Sequence, residues 1–124
     1  MTTILLVESN AVVRLHAAEV IAAAGFRVIE ADTIGDALRK LTDCPEIAIV
    51  VTGSDRRSGL DGIALAHQVF AGWPPVRLLV TSGDRVVKPE DLPSEARVLL
   101  KPYSDDELVT ALHVLEKQWR SRLL

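Results

Sequence analysis

Polar residues that could do chemistry stand directly after four apolar segments of this chain. They form the groups Glu8-Ser9-Asn10, Thr52-Gly53-Ser54, Thr81-Ser82 and Lys101-Pro102. Together these groups offer a carboxylate, several hydroxyls and an ammonium group. Carboxylates hold magnesium and lysines pair with phosphate oxygens, so these are the residue types of a metal or phosphate site.

Other kinds of chemistry are disfavoured. The three histidines, His16, His67 and His113, fall in separate predicted helices and lack the spacing of a metal-binding pair. Cys44 has no evident base nearby, which argues against a catalytic thiol. The strand-end groups therefore remain the candidates for a site.

The elements that position these groups alternate between strand and helix. Short apolar runs predict strands at residues 4–7, 27–31, 47–51, 76–80 and 97–100. Apolar residues recur at helical spacing between the first four strands, and a final helical stripe follows the capping box of Ser104 and Glu107. Pro89 and Pro93 leave room for only a weak or short fourth helix.

This alternation predicts an α/β fold with one doubly wound, five-stranded parallel sheet. Parallel neighbours need crossover connections, so helices should cover both faces. The run 47–51 is almost wholly apolar, as expected of a central strand buried on both faces. In such sheets the site lies at the carboxyl ends of the strands, which is where the four polar groups stand.

Length and composition limit the class of protein. The 124 residues are expected to form one domain, 1–124, and 48% of them are hydrophobic, which argues against disorder. A net charge of −3 argues against nucleic acid or a membrane as the main partner. No apolar run approaches the roughly 20 residues of a membrane span, and no signal peptide is visible. We expect a cytoplasmic protein.

Taken in order, the strand-end segments resemble the receiver domain of bacterial response regulators. The resemblance covers essentially the whole chain and implies the flavodoxin-like (βα)5 fold and a role in two-component or phosphorelay signal transduction. The segments that carry it are Ile4-Leu5-Leu6-Val7-Glu8, Asp61-Gly62, Leu79-Val80-Thr81-Ser82-Gly83 and Lys101-Pro102-Tyr103.

The resemblance also implies a site, which this chain matches only in part. A working receiver has an acidic pair for Mg²⁺ after strand one, an acceptor aspartate after strand three, a hydroxyl after strand four and a lysine after strand five. Glu8, Thr81 and Lys101 match, whereas Ser9 replaces the second acid and Gly53 replaces the acceptor. We therefore expect a remnant pocket of Glu8, Ser9, Thr81 and Lys101, with no catalytic residue, no cofactor and no Mg²⁺ site.

Four further expectations follow from the residues and from the resemblance. Lys101 is expected to pair with Glu8 across it, and the resemblance implies a cis peptide between Lys101 and Pro102. Val98 stands where many receivers have an aromatic switch residue. Asp55, two residues after Gly53, is the nearest replacement carboxylate. A bulge could bring it closer, but residues 53–62 are predicted to be a loop, so Asp55 is not favoured as an acceptor.

The first hypothesis is therefore an atypical, non-enzymatic receiver that signals through protein contacts without aspartyl phosphorylation. Its partner would be a histidine kinase, a phosphotransfer protein or an effector, or a second copy bound through strands four and five and the last helix. The alternative is a phosphorylatable single-domain response regulator that uses Asp55. A flavodoxin-like ligand binder is more remote, because Ser9-Asn10-Ala11 contains no glycine for a phosphate loop.

Overall fold

The computed structural model describes residues 1–55, 59–83 and 86–123. Strands and helices alternate along it, with one short 3₁₀ turn before the last strand. In chain order the elements are β1 (Thr3–Val7), α1 (Ala11–Ala23), β2 (Arg27–Ala31), α2 (Ile34–Asp43), β3 (Ile47–Gly53), α3 (Gly62–Gly72), β4 (Arg77–Ser82), the 3₁₀ turn (Pro89–Asp91), β5 (Arg97–Leu100) and α4 (Asp105–Leu123).

The five strands form one parallel sheet in the order β2-β1-β3-β4-β5. This confirms the predicted doubly wound α/β fold, including its weak fourth helix, which is reduced to the 3₁₀ turn. Register places Val7 beside Thr52 and Gly53 beside Thr81. The ends of β1, β3 and β4 therefore lie level at one edge of the sheet.

Each face of the sheet is covered by two helices. The side chains of β3 alternate between two cores: Val50 packs with the group that contains Leu41 of α2 and Leu65 of α3. Ile49 packs with the group that contains Ile21 of α1 and Leu112 of α4. All seven residues of β3 are buried, as predicted for a central strand. The sheet is thus held from both sides, which fixes the strand ends that carry the polar groups.

Side-chain caps start the helices close to those strand ends. The Asn10 side chain accepts hydrogen bonds from Val12 N and Val13 N, and Asp61 accepts one from Ala64 N. Ser104 and Glu107 form the predicted reciprocal capping box at α4. Because a cap sets where the backbone becomes helical, these residues limit the loops that frame the site.

One difference from the sequence prediction matters for the site. β3 continues to Gly53, so this glycine ends a strand instead of beginning a loop. Residues 56–58 of the predicted loop at 53–62, residues 84–85 between β4 and the 3₁₀ turn, and residue 124 of the predicted domain lie outside the described residues. No helix in the described ranges is long and apolar enough to cross a membrane.

Candidate functional site

Four strand ends meet at the carboxyl edge of the sheet and bring charged side chains together. Glu8 follows β1, Asp55 follows β3, and Lys101 follows β5. The backbone ladder continues beyond the strands, because Ser54 N donates to Thr81 O at 2.9 Å and Lys101 N donates to Ser82 O at 2.8 Å. These two bonds fix Asp55 and Lys101 relative to the end of β4.

Glu8 is held in place at the end of β1. Its Oε2 accepts a hydrogen bond from Asn10 N at 3.0 Å, and its backbone oxygen accepts one from Arg14 Nη1 at 2.8 Å. Only 5% of the residue is exposed. Its Oε1 lies 3.7 Å from Lys101 Nζ, so the predicted pairing of the two side chains is confirmed as an ion pair without a short hydrogen bond.

Gly53 occupies the position that the resemblance assigns to the acceptor aspartate, and Glu8 covers it. A Cβ atom added to Gly53 would lie 2.8 Å from Glu8 Oε1, closer than carbon and oxygen normally approach. Any side chain at this position therefore requires the Glu8 carboxylate to move. The space next to the end of β3 is filled by a carboxylate that comes from β1.

Asp55 enters the pocket, although the sequence did not favour it as a site residue. Its Oδ2 accepts a hydrogen bond from Lys101 Nζ at 2.5 Å, and its Oδ1 accepts one from Gly83 N at 2.8 Å. The physical reason is that the chain stays paired with β4 as far as Ser54. Residues two apart on an extended chain point to the same side, so Asp55 reaches the pocket that Gly53 faces.

The other predicted pocket residues lie where the strands place them. Thr81 is buried near the end of β4 beside Gly53, and Ser9, the second residue after β1, is half-buried. The Ser82 hydroxyl donates to Ser54 O at 3.3 Å. The Lys101–Pro102 peptide is cis, as the resemblance implied. Among these contacts of the pocket residues, the hydrogen bond from Lys101 Nζ to Asp55 Oδ2 is the shortest.

Lys101 is the electrostatic centre of the pocket. Partial burial lowers the pKa of its ammonium group, but the hydrogen bond to Asp55 and the charges of Glu8 and Asp55 raise it more, so the net pKa is raised. Burial is also the main reason why the pKa of Tyr103 is raised. Lys101 is thus held in its charged form between two carboxylates.

The pocket does not reproduce the magnesium-binding set that the resemblance implies. Ser9 and Gly53 supply no carboxylate, and Asp55 accepts from the Lys101 ammonium. In the ranges 1–55, 59–83 and 86–123, no cluster of three or more His, Cys, Asp or Glu side chains is placed to hold a metal ion. Mg²⁺ requires several oxygen ligands in near-octahedral geometry. These residues therefore do not fit it.

Sequence reasoning missed two parts of the site, the Gly83 N–H and the position of Asp55. Gly83 carries no side-chain signal, and a Cβ added there would lie 3.3 Å from Lys101 Cβ. A glycine directly after a strand, opposite a lysine, was a weak sign of this close packing. For Asp55, the period-two spacing from Gly53 was the available signal.

Comparison with known proteins shows the fold. No protein-family model matches the sequence, and no curated protein matches it. Among solved structures, a response regulator receiver domain protein from Clostridium thermocellum is similar over 100% of both chains, with a TM-score of 0.84 and 18% identity. The signal receiver domain of an HD domain-containing protein from Pseudomonas fluorescens Pf-5 is 25% identical, with a TM-score of 0.84 over 96% of this chain and 97% of that one.

A response regulator receiver protein from Sinorhizobium medicae WSM419 is also 25% identical, with a TM-score of 0.82 over 92% of this chain and 93% of that one. These three alignments cover nearly the whole of both chains. The chain therefore has the receiver-domain fold of two-component response regulators.

Proposed function

We propose that the chain is an atypical receiver that acts in cytoplasmic two-component or phosphorelay signalling through protein contacts, without aspartyl phosphorylation and without enzymatic activity. One observation carries this proposal: the position that the resemblance assigns to the acceptor holds Gly53, and the Glu8 carboxylate fills the space beside it. A glycine has no carboxylate on which an acyl phosphate could form.

The chemistry of phosphoryl transfer supports this choice. An acceptor carboxylate acts as a nucleophile, and a divalent cation normally neutralises the incoming phosphoryl group. Here Lys101 Nζ donates a hydrogen bond to Asp55 and lies 3.7 Å from Glu8 Oε1, so both carboxylates are already paired with one cation. We expect Mg²⁺ not to bind here.

A partner should bind the face that contains β4, β5 and α4, as the resemblance implied. A groove of about 550 Å³ runs between β5 and α4, and Val98, Leu99, Ala111 and Val114 are among the residues that line it. Leu100, at the end of the edge strand β5, is 62% exposed. Receiver domains interact with kinases or effector domains. We propose such a signalling protein, or a second copy of the chain, as the partner.

Intact mass tests the proposal directly. The protein is incubated with acetyl phosphate and Mg²⁺, next to a receiver that is known to become phosphorylated. We expect no gain of a phosphoryl group on this chain while the control gains one. A stoichiometric gain that is lost at alkaline pH, as an acyl phosphate is, would contradict the proposal.

A second function, a phosphorylatable receiver that uses Asp55, is favoured by one observation. Asp55 is the carboxylate in hydrogen-bond contact with Lys101, which is the contact expected of an acceptor. The same mass experiment on Asp55→Asn and Asp61→Asn separates the two functions. Phosphorylation that Asp55→Asn abolishes and Asp61→Asn preserves would establish the second function in place of the first.

A further inference from the structure

Helix α1 presents an apolar face to solvent. Of its 13 residues, only Arg14, His16 and Glu19 are polar. Val12 is 79% exposed and Leu15 is 58% exposed. A helix that is apolar on all sides is normally buried on all sides, whereas a surface helix normally turns polar residues outward. The outer face of α1 therefore has the character of a contact surface.

Arg14 does not cover this face, because its guanidinium group turns towards the sheet. Its Nη1 donates to Glu8 O at 2.8 Å, and its Nε donates to Glu30 Oε1 at 3.2 Å. The apolar surface also continues beyond the helix, into a groove of about 440 Å³ whose lining includes Pro102 and Leu108. The contact surface thus extends from α1 to the start of α4.

The exposed residues of α1 are arranged so that the face complements itself. His16 and Glu19 lie one turn apart, with the larger Val12 before them and the small, exposed Ala22 and Ala23 after them. A twofold axis midway between positions 16 and 19 would bring two copies of α1 together antiparallel, with the same patch used on both. His16 would then face Glu19 of the second copy, and Val12 would face Ala23 of the second copy.

Such an arrangement favours a second copy of this chain over an unrelated protein. Opposite polar groups meet at two symmetric places, and large side chains meet small ones, as in interfaces that interdigitate. His16 Nε2 lies 3.1 Å from Asp105 Oδ1, which holds the imidazole at the border of the face. The second ring nitrogen is then the one that can meet a carboxylate from outside.

We propose that a second copy of the chain binds the outer face of α1, with the two helices antiparallel and His16 of each copy paired with Glu19 of the other. This inference goes beyond the proposed function. The groove between β5 and α4 is lined by other residues, among them Val98 and Val114, so it stays open to a signalling partner.

The dimer should be weak, because one helix face per copy lies at the small end of protein interfaces. We expect a Kd of about 10–100 µM. Sedimentation equilibrium of wild type over about 5 µM to 1 mM should therefore show monomer and dimer in exchange, since this range brackets the expected Kd. A protein that stays monomeric over the whole range would overturn the inference.

Leu15→Glu should weaken the dimer about tenfold or more, because it buries a carboxylate next to Glu19 of the second copy. If Leu15→Glu fails to fold, as judged by its urea midpoint, Val12→Glu replaces it. The matched control is Leu100→Glu on β5, where the native side chain is 62% exposed. It should leave the Kd unchanged. Loss of the dimer in Leu100→Glu, with the dimer kept in Leu15→Glu, would place the contact on the other face and overturn the inference.

A charge swap tests the antiparallel pairing itself. His16→Glu places like charges opposite each other at both symmetric places and should weaken the dimer about tenfold. The double variant His16→Glu/Glu19→Lys has opposite charges there again, so its Kd should return to within about threefold of wild type. A double variant that dimerises no better than His16→Glu would overturn this pairing.

Discussion

Lys101 links two acidic side chains that would otherwise repel each other. It donates to Asp55 at 2.5 Å and lies 3.7 Å from Glu8, which is almost fully buried. A buried charge that loses its partner is strongly destabilising, although exposure and nearby water reduce the cost. We therefore expect the ammonium group to stabilise the pocket.

Replacing Lys101 with methionine should lower the free energy of unfolding by about 1–3 kcal/mol, because Glu8 and Asp55 would lose their shared cation. Urea unfolding at neutral pH measures the change. Lys117→Met, at an exposed position of α4, is the matched control and should remain within about 0.5 kcal/mol of wild type. Equal stability of the two variants would argue against a stabilising role for Lys101.

The stability difference between wild type and Lys101→Met should also depend on pH. The pKa of Lys101 is raised in the folded state, so its stabilising effect is complete below the unfolded-state pKa of about 10.4 and is lost as pH rises through the higher folded-state pKa. The difference between wild type and Lys101→Met should therefore be constant from pH 7 to 9 and should shrink above about pH 10.5. A stability difference that grows with pH would contradict this prediction.

An aspartate introduced at position 53 would clash with the Glu8 carboxylate. Without metal, the double variant Ser9→Asp/Gly53→Asp should be less stable than wild type by about 1–3 kcal/mol, since it adds both a clash and two like charges. Gly53→Ala measures the steric part alone, and urea unfolding in the presence of a chelator compares the three proteins. Unchanged or higher stability of the double variant would contradict this account.

At the scale of elements, the site depends on how closely α3 approaches the end of β3. A Cβ added to Gly62, the first residue of α3, would lie 2.3 Å from the backbone oxygen of Gly53. Only a glycine allows this approach. The Asp61-Gly62 pair therefore has two structural tasks, since Asp61 caps the helix while Gly62 lets it pack against the strand.

Gly62→Ala should therefore destabilise the protein by about 1–3 kcal/mol, because the backbone must shift to admit the new methyl group. The control is Gly35→Ala in α2, where nothing lies within 4 Å of the added Cβ. That change should stabilise the protein by about 0.5–1 kcal/mol, since alanine favours helix. Thermal unfolding of both variants checks the opposite signs, and destabilisation of both would disprove the steric explanation.

Most elements could be predicted from the sequence because local signals define them. Asn10 and Ser104 cap helices, and Pro89 and Pro93 prevent a full fourth helix. The end of β3 could not be predicted, because the ladder bond from Ser54 N to Thr81 O joins parts of the chain far apart in sequence. The position of Asp55 depends on that bond, so the sequence identified Glu8, Thr81 and Lys101 but not the carboxylate that Lys101 binds.

At the scale of the whole molecule, ion pairs also connect elements at the amino-terminal end of the sheet, opposite the pocket. Arg77, buried at the start of β4, donates to Glu95 at 3.0 Å, and Arg122 in the last turn of α4 donates to the same carboxylate. Glu95 has a positive φ of 69°, which is uncommon for a residue with a side chain. This carboxylate joins α4 to the sheet at the end away from the pocket.

Glu95→Gln should lower the urea midpoint, because Arg77 would keep only a neutral partner. The hydrogen bond from Arg77 is the main reason why the pKa of Glu95 is lowered, so the stabilising effect is present above the unfolded-state pKa of about 4.3 and is lost as pH falls through the lower folded-state pKa. The urea midpoints of the variant and of wild type should therefore converge at acidic pH. Glu90→Gln, at an exposed position of the 3₁₀ turn, is the control.

The cover that Glu8 forms over Gly53 has a consequence for evolution. A chain that gained aspartate at position 53 by one substitution would still have the Glu8 carboxylate in the way and Lys101 already bound to Asp55. At least two further side chains would have to be rearranged before the new carboxylate could work. We therefore expect single-step acquisition of an acceptor at this position to pass through less stable intermediates.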